Sequence, residues 1–423
     1  MPSPSTDMAI QQSECRRSQV QTSLIMRGLA QSTGDVAIGF FLLRYIKGSH
    51  FEYLPLLYNT ASAGKALSAS VLAAALASLS HETSCLETMR AARNQYSRAL
   101  VATNSALQSP RESIQDETLA SILLLSLFET IAHENQKSHD GWIAHIKGAV
   151  ALLKLRGLQQ LQTSLGRELF KQVSSNVRVS CVQRAIRVPA EFLEFHARAA
   201  AFLDGSDPVL RFSPISTAFA GLRAAMSEGK LRDPIAMTES AMQLDKETLL
   251  LSTSLPPTWQ YDIMFTTTHS ARVYGTQYHV YGDHRVAQLW NTIRMTRVLL
   301  NEIIYWQATK ACSKLACGSL TSDWTILRAL AADNVMKMAA EICASVPQFT
   351  QCPLPGMTTT PHSVASGSFL IWPLSIAGGS SLSPGSLCAY AADSLRFIGN
   401  ENKVPQALDA ARKLEQSKPL QGP

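Results

Sequence analysis

The densest group of side chains able to do chemistry is Tyr278, His279, Tyr281, Asp283, His284 and Arg285. Two aromatics, two histidines, an acid and a cation this close together could line a small-molecule pocket. The plainer expectation is a capped helix start, with Asp283 near the N-cap. A second group, His133-Glu134 and His139-Asp140, flanks a polar stretch. Zinc-protease chemistry needs two histidines four apart on one helix face with a glutamate between them. Here the histidines are six apart, so a polar turn is expected instead. Cys312 and Cys317 are five apart, the wrong step for a shared helix face, and read as buried thiols. Gly378-Gly379-Ser380-Ser381 lacks the lysine and the preceding strand of a phosphate-binding loop. No G-x-S-x-G nucleophile elbow occurs. His145 shares a helical face with Trp142 and Ala149, which suits a core histidine with one hydrogen-bonded nitrogen better than a general base. The residues therefore nominate no catalytic, cofactor-binding or metal-binding set.

Composition narrows the classes further. The 423 residues are 46% hydrophobic and 17% charged, with a net charge of +6. That is a globular composition with ample core. A nucleic-acid binder concentrates its cations in a patch. The nearest approach here is Lys171, Arg178, Arg184, Arg187 and Arg198, whose spacing suits a solvated helix face. The eight cysteines are scattered and contain no C-x-x-C pair, which argues against a metal module and a disulfide scaffold. Reduced thiols in an intracellular protein are the expectation. The first 21 residues lack the apolar core of a signal peptide. Ala66 to Ser80 is too short and too rich in serine for a membrane span.

The elements that must position any site are helices. Residues 1–33 are polar and aperiodic and read as disordered. A buried helix follows from about Gly34, then two Ala-rich helices, Ala66 to Leu79 and Glu87 to Leu107. Asp116 to Gly157 organises the chain as two helices. The first is apolar on nearly every face, and a helix of that kind belongs in a core. Gln136 to Gly141 reads as the turn between them. In the second, Trp142, His145, Ile146, Ala149, Leu152 and Leu153 recur at helical spacing, which places Trp142 on the buried face. Lys154 and Arg156 suit its C-terminus, and Gly157 is placed to cap it. Further helices are expected around Leu165 to Cys181, Ala190 to Phe202, Phe219 to Ser227 and Glu239 to Ser252. Asp204 to Pro214 reads as loop, and Leu255 to Trp259 as a break. Tyr278 to Tyr305 and Leu327 to Phe349 carry two more helices, and a short terminal pair ends the chain. Val273 to Gly282 alternates like a strand but is isolated, so the expected fold is all-α, a large multi-helix domain of packed antiparallel helices.

Four ordered segments give this pattern a family resemblance. The first is D-x-x-L-x-x-x-L-L-L-x-x-F-E with W-x-x-H-x-x-G-A-x-x-L-L-x-x-R-G, preceded by Ala92, Tyr96, Ala99 and Leu100. It is carried by Leu123, Leu124, Phe128, Glu129, Trp142, His145, Gly148, Ala149, Arg156 and Gly157. The second is Trp290, Asn291, Arg294 and Arg297, with Tyr278 and Tyr281 before them. The third is Glu341 to Phe349, and the fourth Leu370 to Gly379. Together they resemble the fungal-specific transcription factor domain, the helical regulatory region that accompanies zinc binuclear-cluster DNA-binding modules. The resemblance covers residues 34–416, with 417–423 left as a disordered tail, and its marker residues are structural.

The resemblance implies a nuclear, non-enzymatic transcriptional regulator or co-regulator in a fungus, with a biosynthetic (secondary-metabolite) gene cluster as its target. No cofactor is implied. The zinc module needs six cysteines near C-x2-C-x6-C spacing, and only Cys15 precedes the helices, so direct specific DNA binding is not expected. Its partners would be a DNA-binding transcription factor or a second copy, met through helical surfaces such as the Ala-rich helices, and a small-molecule effector. The rival reading is a helical biosynthetic-pathway enzyme or a small-molecule-binding protein.

Overall fold

A computed structural model describes residues 32–46, 48–58, 63–132, 135–267, 270–314, 319–350, 352, 354–356 and 367–416. His133, Glu134, Cys15 and Cys317, and the expected tails at 1–31 and 417–423, lie outside them. The chain is all-α, and among the described residues there is one small two-stranded hairpin. No helix among the described residues is long and apolar enough to cross a membrane.

The N-terminal helices are α1 (Thr33–Phe41), α2 (Leu54–Leu57), α3 (Lys65–Thr83), α4 (Leu86–Gln108), α5 (Asp116–Ala132) and α6 (Asn135–Arg156). Helix α3 lies inside, packed by α1, α4 and α5. Its alanines and serines are buried on almost every face, because small side chains let three neighbours approach closely. The expected docking face on α3 is therefore occupied within the chain. Helix α5 is buried nearly all round, as its composition predicts. The Glu117 carboxylate accepts a 3.0 Å hydrogen bond from the Gly64 N–H, fixing the start of α3 to the start of α5.

The expected turn at Gln136 to Gly141 is helix: α6 begins at Asn135. Turn-forming residues at a helix start are N-terminal signals as much as loop signals, and here the helix prevails. Trp142 is only half-buried, stacked on His139 with ring centroids 6.1 Å apart. Trp142 still packs against the core cluster, so its place on the apolar face holds while its burial is partial. Gly157 does end the helix: its φ is +67°, and its N–H bonds back to Leu153 and Lys154.

Next come α7 (Ser164–Arg184), α8 (Ala190–Ala199), α9 (Pro208–Ser227) and α10 (Pro234–Thr253). Helix α7 stops at a left-handed Ala185 (φ +49°), just before the expected break at Pro189. The expected loop at 204–214 ends early. Asp207 caps Val209 N–H at 2.9 Å and Pro208 occupies the first helical position, where its missing N–H costs nothing. Arg178 departs from the expected solvated face: it is 4% exposed and bonds Ser174, the Ser213 carbonyl and Thr217.

The C-terminal half holds β1 (Tyr261–Phe265), β2 (Gln277–Tyr281), α11 (His284–Lys314), α12 (Ser319–Ala344), α13 (Val346–Phe349), α14 (Ile371–Gly379), α15 (Gly385–Glu401) and α16 (Pro405–Gln416). The strands pair antiparallel, with Tyr261 opposite Tyr281 and Phe265 opposite Gln277. The strand-like run at 273–282 therefore has a partner, Tyr261 to Phe265, that lies beyond a long loop. Helices α10 and α12 both pack on α11. One cluster of buried apolar side chains reaches from Ala37 on α1 to Ala411 on α16.

Candidate functional site

The 278–285 cluster is distributed over different surroundings. Tyr278 donates to the Pro355 carbonyl at 2.9 Å. Asp283 caps α11, accepting from Val286 N–H at 2.9 Å, as expected. His284 packs edge-on against Phe349, and Arg285 is exposed. Only His279 and Tyr281 meet, and what they face is Arg294, the largest fully buried side chain.

Arg294 reaches up from α11 beneath the hairpin. It donates to the Tyr281 hydroxyl at 2.6 Å, to Asn291 Oδ1 at 3.2 Å and to Glu341 Oε2 on α12 at 3.1 Å. His279 Nδ1 lies 3.2 Å from its Nη2 and 3.1 Å from the Tyr281 hydroxyl. The guanidinium also lies over Tyr261, Trp290 and Tyr281, at 4.8, 5.3 and 5.8 Å from the ring centroids. Cation–π attraction grows when the pair is removed from water. Burial acts to lower the pKa of Arg294, yet Tyr281, Tyr261 and Glu341 outweigh it and hold the pKa above the ordinary value. Burial, and then the neighbouring cation, push His279 down to about 3, so it stays neutral. The space that the alternative, pocket reading would need is filled by the chain's own arginine. Arg297, one turn on, makes a second partly buried pair with Asp245 of α10 at 2.8 Å.

The organising helices carry a second polar knot. The Tyr96 hydroxyl donates to Glu129 and lies 2.9 Å from His145 Nε2, while its ring stacks on Phe128 at 4.3 Å. Both contacts are satisfied when His145 carries its proton on Nε2. Burial lowers His145 to about 4, so it is the neutral core histidine expected. Arg156, its side chain 4% exposed, pairs with Asp116 and so joins the end of α6 to the start of α5. It sits at the helix terminus, where a cation suits the dipole, but its partner is a carboxylate.

The remaining motifs make the following contacts. A Cβ at Gly378 would stand 2.8 Å from Ala391 Cβ, so this glycine permits helix packing. Ser380 donates to Glu302 at 2.6 Å. Cys312 lies partly exposed near Thr325, with sulfur and hydroxyl 3.9 Å apart. Among the described residues no group of three His, Cys, Asp or Glu could hold a metal ion.

An open groove of about 690 Å³ lies between loop 270–275 and one face of α15. Arg272 Cζ lies over the Phe397 ring, 3.2 Å from its centroid, and Tyr390 donates to the Arg272 carbonyl at 2.7 Å. Asp393 and Glu401 stand near enough to act on its charge. Sequence reading missed this groove, because its walls come from segments more than a hundred residues apart.

An uncharacterized protein of Emericella nidulans is 36% identical over 80 residues, a match that spans 19% of this chain and 16% of that relative. No solved structure matches the chain. The family model described as the fungal specific transcription factor domain matches residues 45–182, from the end of the first helical segment through α7. That segment, which holds the Tyr96–Glu129–His145 knot and the Asp116–Arg156 pair, is similar to the fungal specific transcription factor domain.

Proposed function

We propose that the chain is a non-enzymatic transcriptional regulator or co-regulator that works in the fungal nucleus through protein contacts, without a DNA-reading module in these residues. The observation that supports this most is the family match at 45–182, which falls on the helices joined by the motif residues. Base readout needs an element placed in a groove, and phosphate binding needs clustered cations. Arg178, from the nearest thing to a cation cluster, is instead committed to the interior. Fluorescence anisotropy with promoter DNA at physiological salt is expected to show no sequence-dependent binding; nanomolar, sequence-dependent binding overturns the reading. Tagged protein in the native fungus should be nuclear and recover a DNA-binding factor. Its deletion should change transcripts, with a secondary-metabolite cluster as the expected target.

The Arg272 groove favours a second element of this reading, a small-molecule effector. One cation, two carboxylates and three aromatic rings (Tyr274, Tyr390, Phe397) suit a small zwitterion carrying an apolar ring. Thermal shift across a panel of aromatic amino acids and amines tests it, with Arg272→Ala abolishing any shift.

A further inference from the structure

Three helices are tied by a chain of hydrogen bonds at the surface of the C-terminal half. Asn301 of α11 donates to Asp245 of α10 at 3.0 Å, and its own carbonyl oxygen accepts from Asn334 of α12 at 3.0 Å. Asp245 and Asn334 are partly exposed, so this bridge marks a strip open to solvent. Apolar side chains flank it on both sides. On α10, Ile235, Met242 and Leu249 recur every seven residues and are 51%, 44% and 42% exposed. Met242 and Leu249 stand one turn to either side of Asp245. On α12, Leu330 stands one turn from Asn334 and is 55% exposed, with Ile326 56% exposed beside it.

Among the exposed residues of α12, Asp323, Ile326, Leu330, Asp333 and Lys337 share one face of the helix. Their alternating three- and four-residue steps are those of a helix-pairing seam. We propose that the strip is a homodimer interface in which α12 pairs antiparallel with α12 of a second copy, about a two-fold axis at Leu330.

The charges select this occupant. Leu330 is midway between Asp323 and Lys337, seven residues from each. An antiparallel pairing centred there sets Leu330 against its own copy and Asp323 opposite Lys337. A two-fold interface makes that ion pair twice. Helix α10 repeats the polarity: exposed Glu239 precedes the bridge and exposed Lys246 follows it, so the acidic end of one copy meets the basic end of the other. A parallel pairing would set Asp323 and Asp333 against themselves, which is repulsive. The helices supply enough length, about 30 Å for the 20 residues of α10 and about 39 Å for the 26 of α12. A stable interface needs about 1,200–2,000 Å² in total.

The proposal does not rest on the regulatory reading; a monomer would leave that reading standing. Analytical ultracentrifugation of the full chain at low and moderate salt is the test. The wild type is expected to be a dimer. Asp323→Lys and Lys337→Glu should each raise the dimer Kd by about tenfold or more, with no change in the melting temperature of the dilute monomer. The two single variants, mixed, should form a heterodimer of near wild-type affinity, and the double variant should pair with itself again. A wild-type chain that stays monomeric at about 100 µM, or that associates only with a different protein, overturns the proposal. A dimer indifferent to both reversals also overturns it, because the interface then lies elsewhere.

Discussion

Arg294 on α11 donates a 2.6 Å hydrogen bond to the Tyr281 hydroxyl, so one buried cation fastens the hairpin to the helices beneath it. Removing the cation alone would leave Glu341, Tyr281 and Asn291 short of a partner. Arg294→Met is expected to cost about 3–5 kcal/mol, as for other broken buried pairs. Tyr281→Phe removes one acceptor and should cost about 1–3 kcal/mol. Arg294→Met combined with Glu341→Met should recover part of the loss, because no buried charge is then left alone. Urea unfolding curves followed by tryptophan fluorescence would measure all three.

The Asp116–Arg156 pair offers a parallel test in the segment that carries the family match. Nε and Nη1 of Arg156 are buried without a hydrogen-bond partner, so Asp116 is the main compensation for its charge. Asp116→Asn should destabilise by about 3 kcal/mol. The surface pair Lys154–Glu191, whose side chains are 44% and 76% exposed, should leave stability almost unchanged when broken by Glu191→Gln. Equal losses for the two variants would show that Arg156 is solvated.

Trp142 and Phe128 should separate by burial. Full loss of a buried aromatic costs about 3–5 kcal/mol. Phe128 is 3% exposed and stacked on Tyr96, so Phe128→Ala should fall in that range. Trp142 is half-buried and leans on His139, so Trp142→Ala should cost only about half as much. Thermal unfolding of the two variants in parallel decides it.

Acid should weaken the fold through its buried histidines. Burial lowers His145 and His196 to about 4, and burial together with Arg294 lowers His279 to about 3, each from 6.5. Between pH 6.5 and about 4 the unfolded chain therefore binds protons that the folded chain refuses. Stability is full above pH 6.5 and falls as the pH drops through this window. Chemical denaturation at pH 7.5, 6 and 5 should show that slope, and His145→Gln should make it shallower.

The sequence by itself determined the helices and the motif residues. Periodicity reports which side of a helix is apolar, and that is a local property. The caps at Asp283 and Gly157 and the all-round burial of α5 follow from it. The same logic misread Gln136 to Gly141 and Pro208 to Pro214, because polar residues and prolines mark helix starts as well as loops. Which charges are buried was decided only by tertiary structure. Arg178, Arg294 and Arg297 occupy positions a helical wheel cannot tell from surface ones. Their partners Thr217, Glu341 and Asp245 lie 39, 47 and 52 residues away in sequence. Burial of a cation depends on acceptors that packing delivers from other elements, and no local pattern encodes them. The hairpin is a further instance: β1 becomes a strand because β2, across a long loop, satisfies its backbone groups.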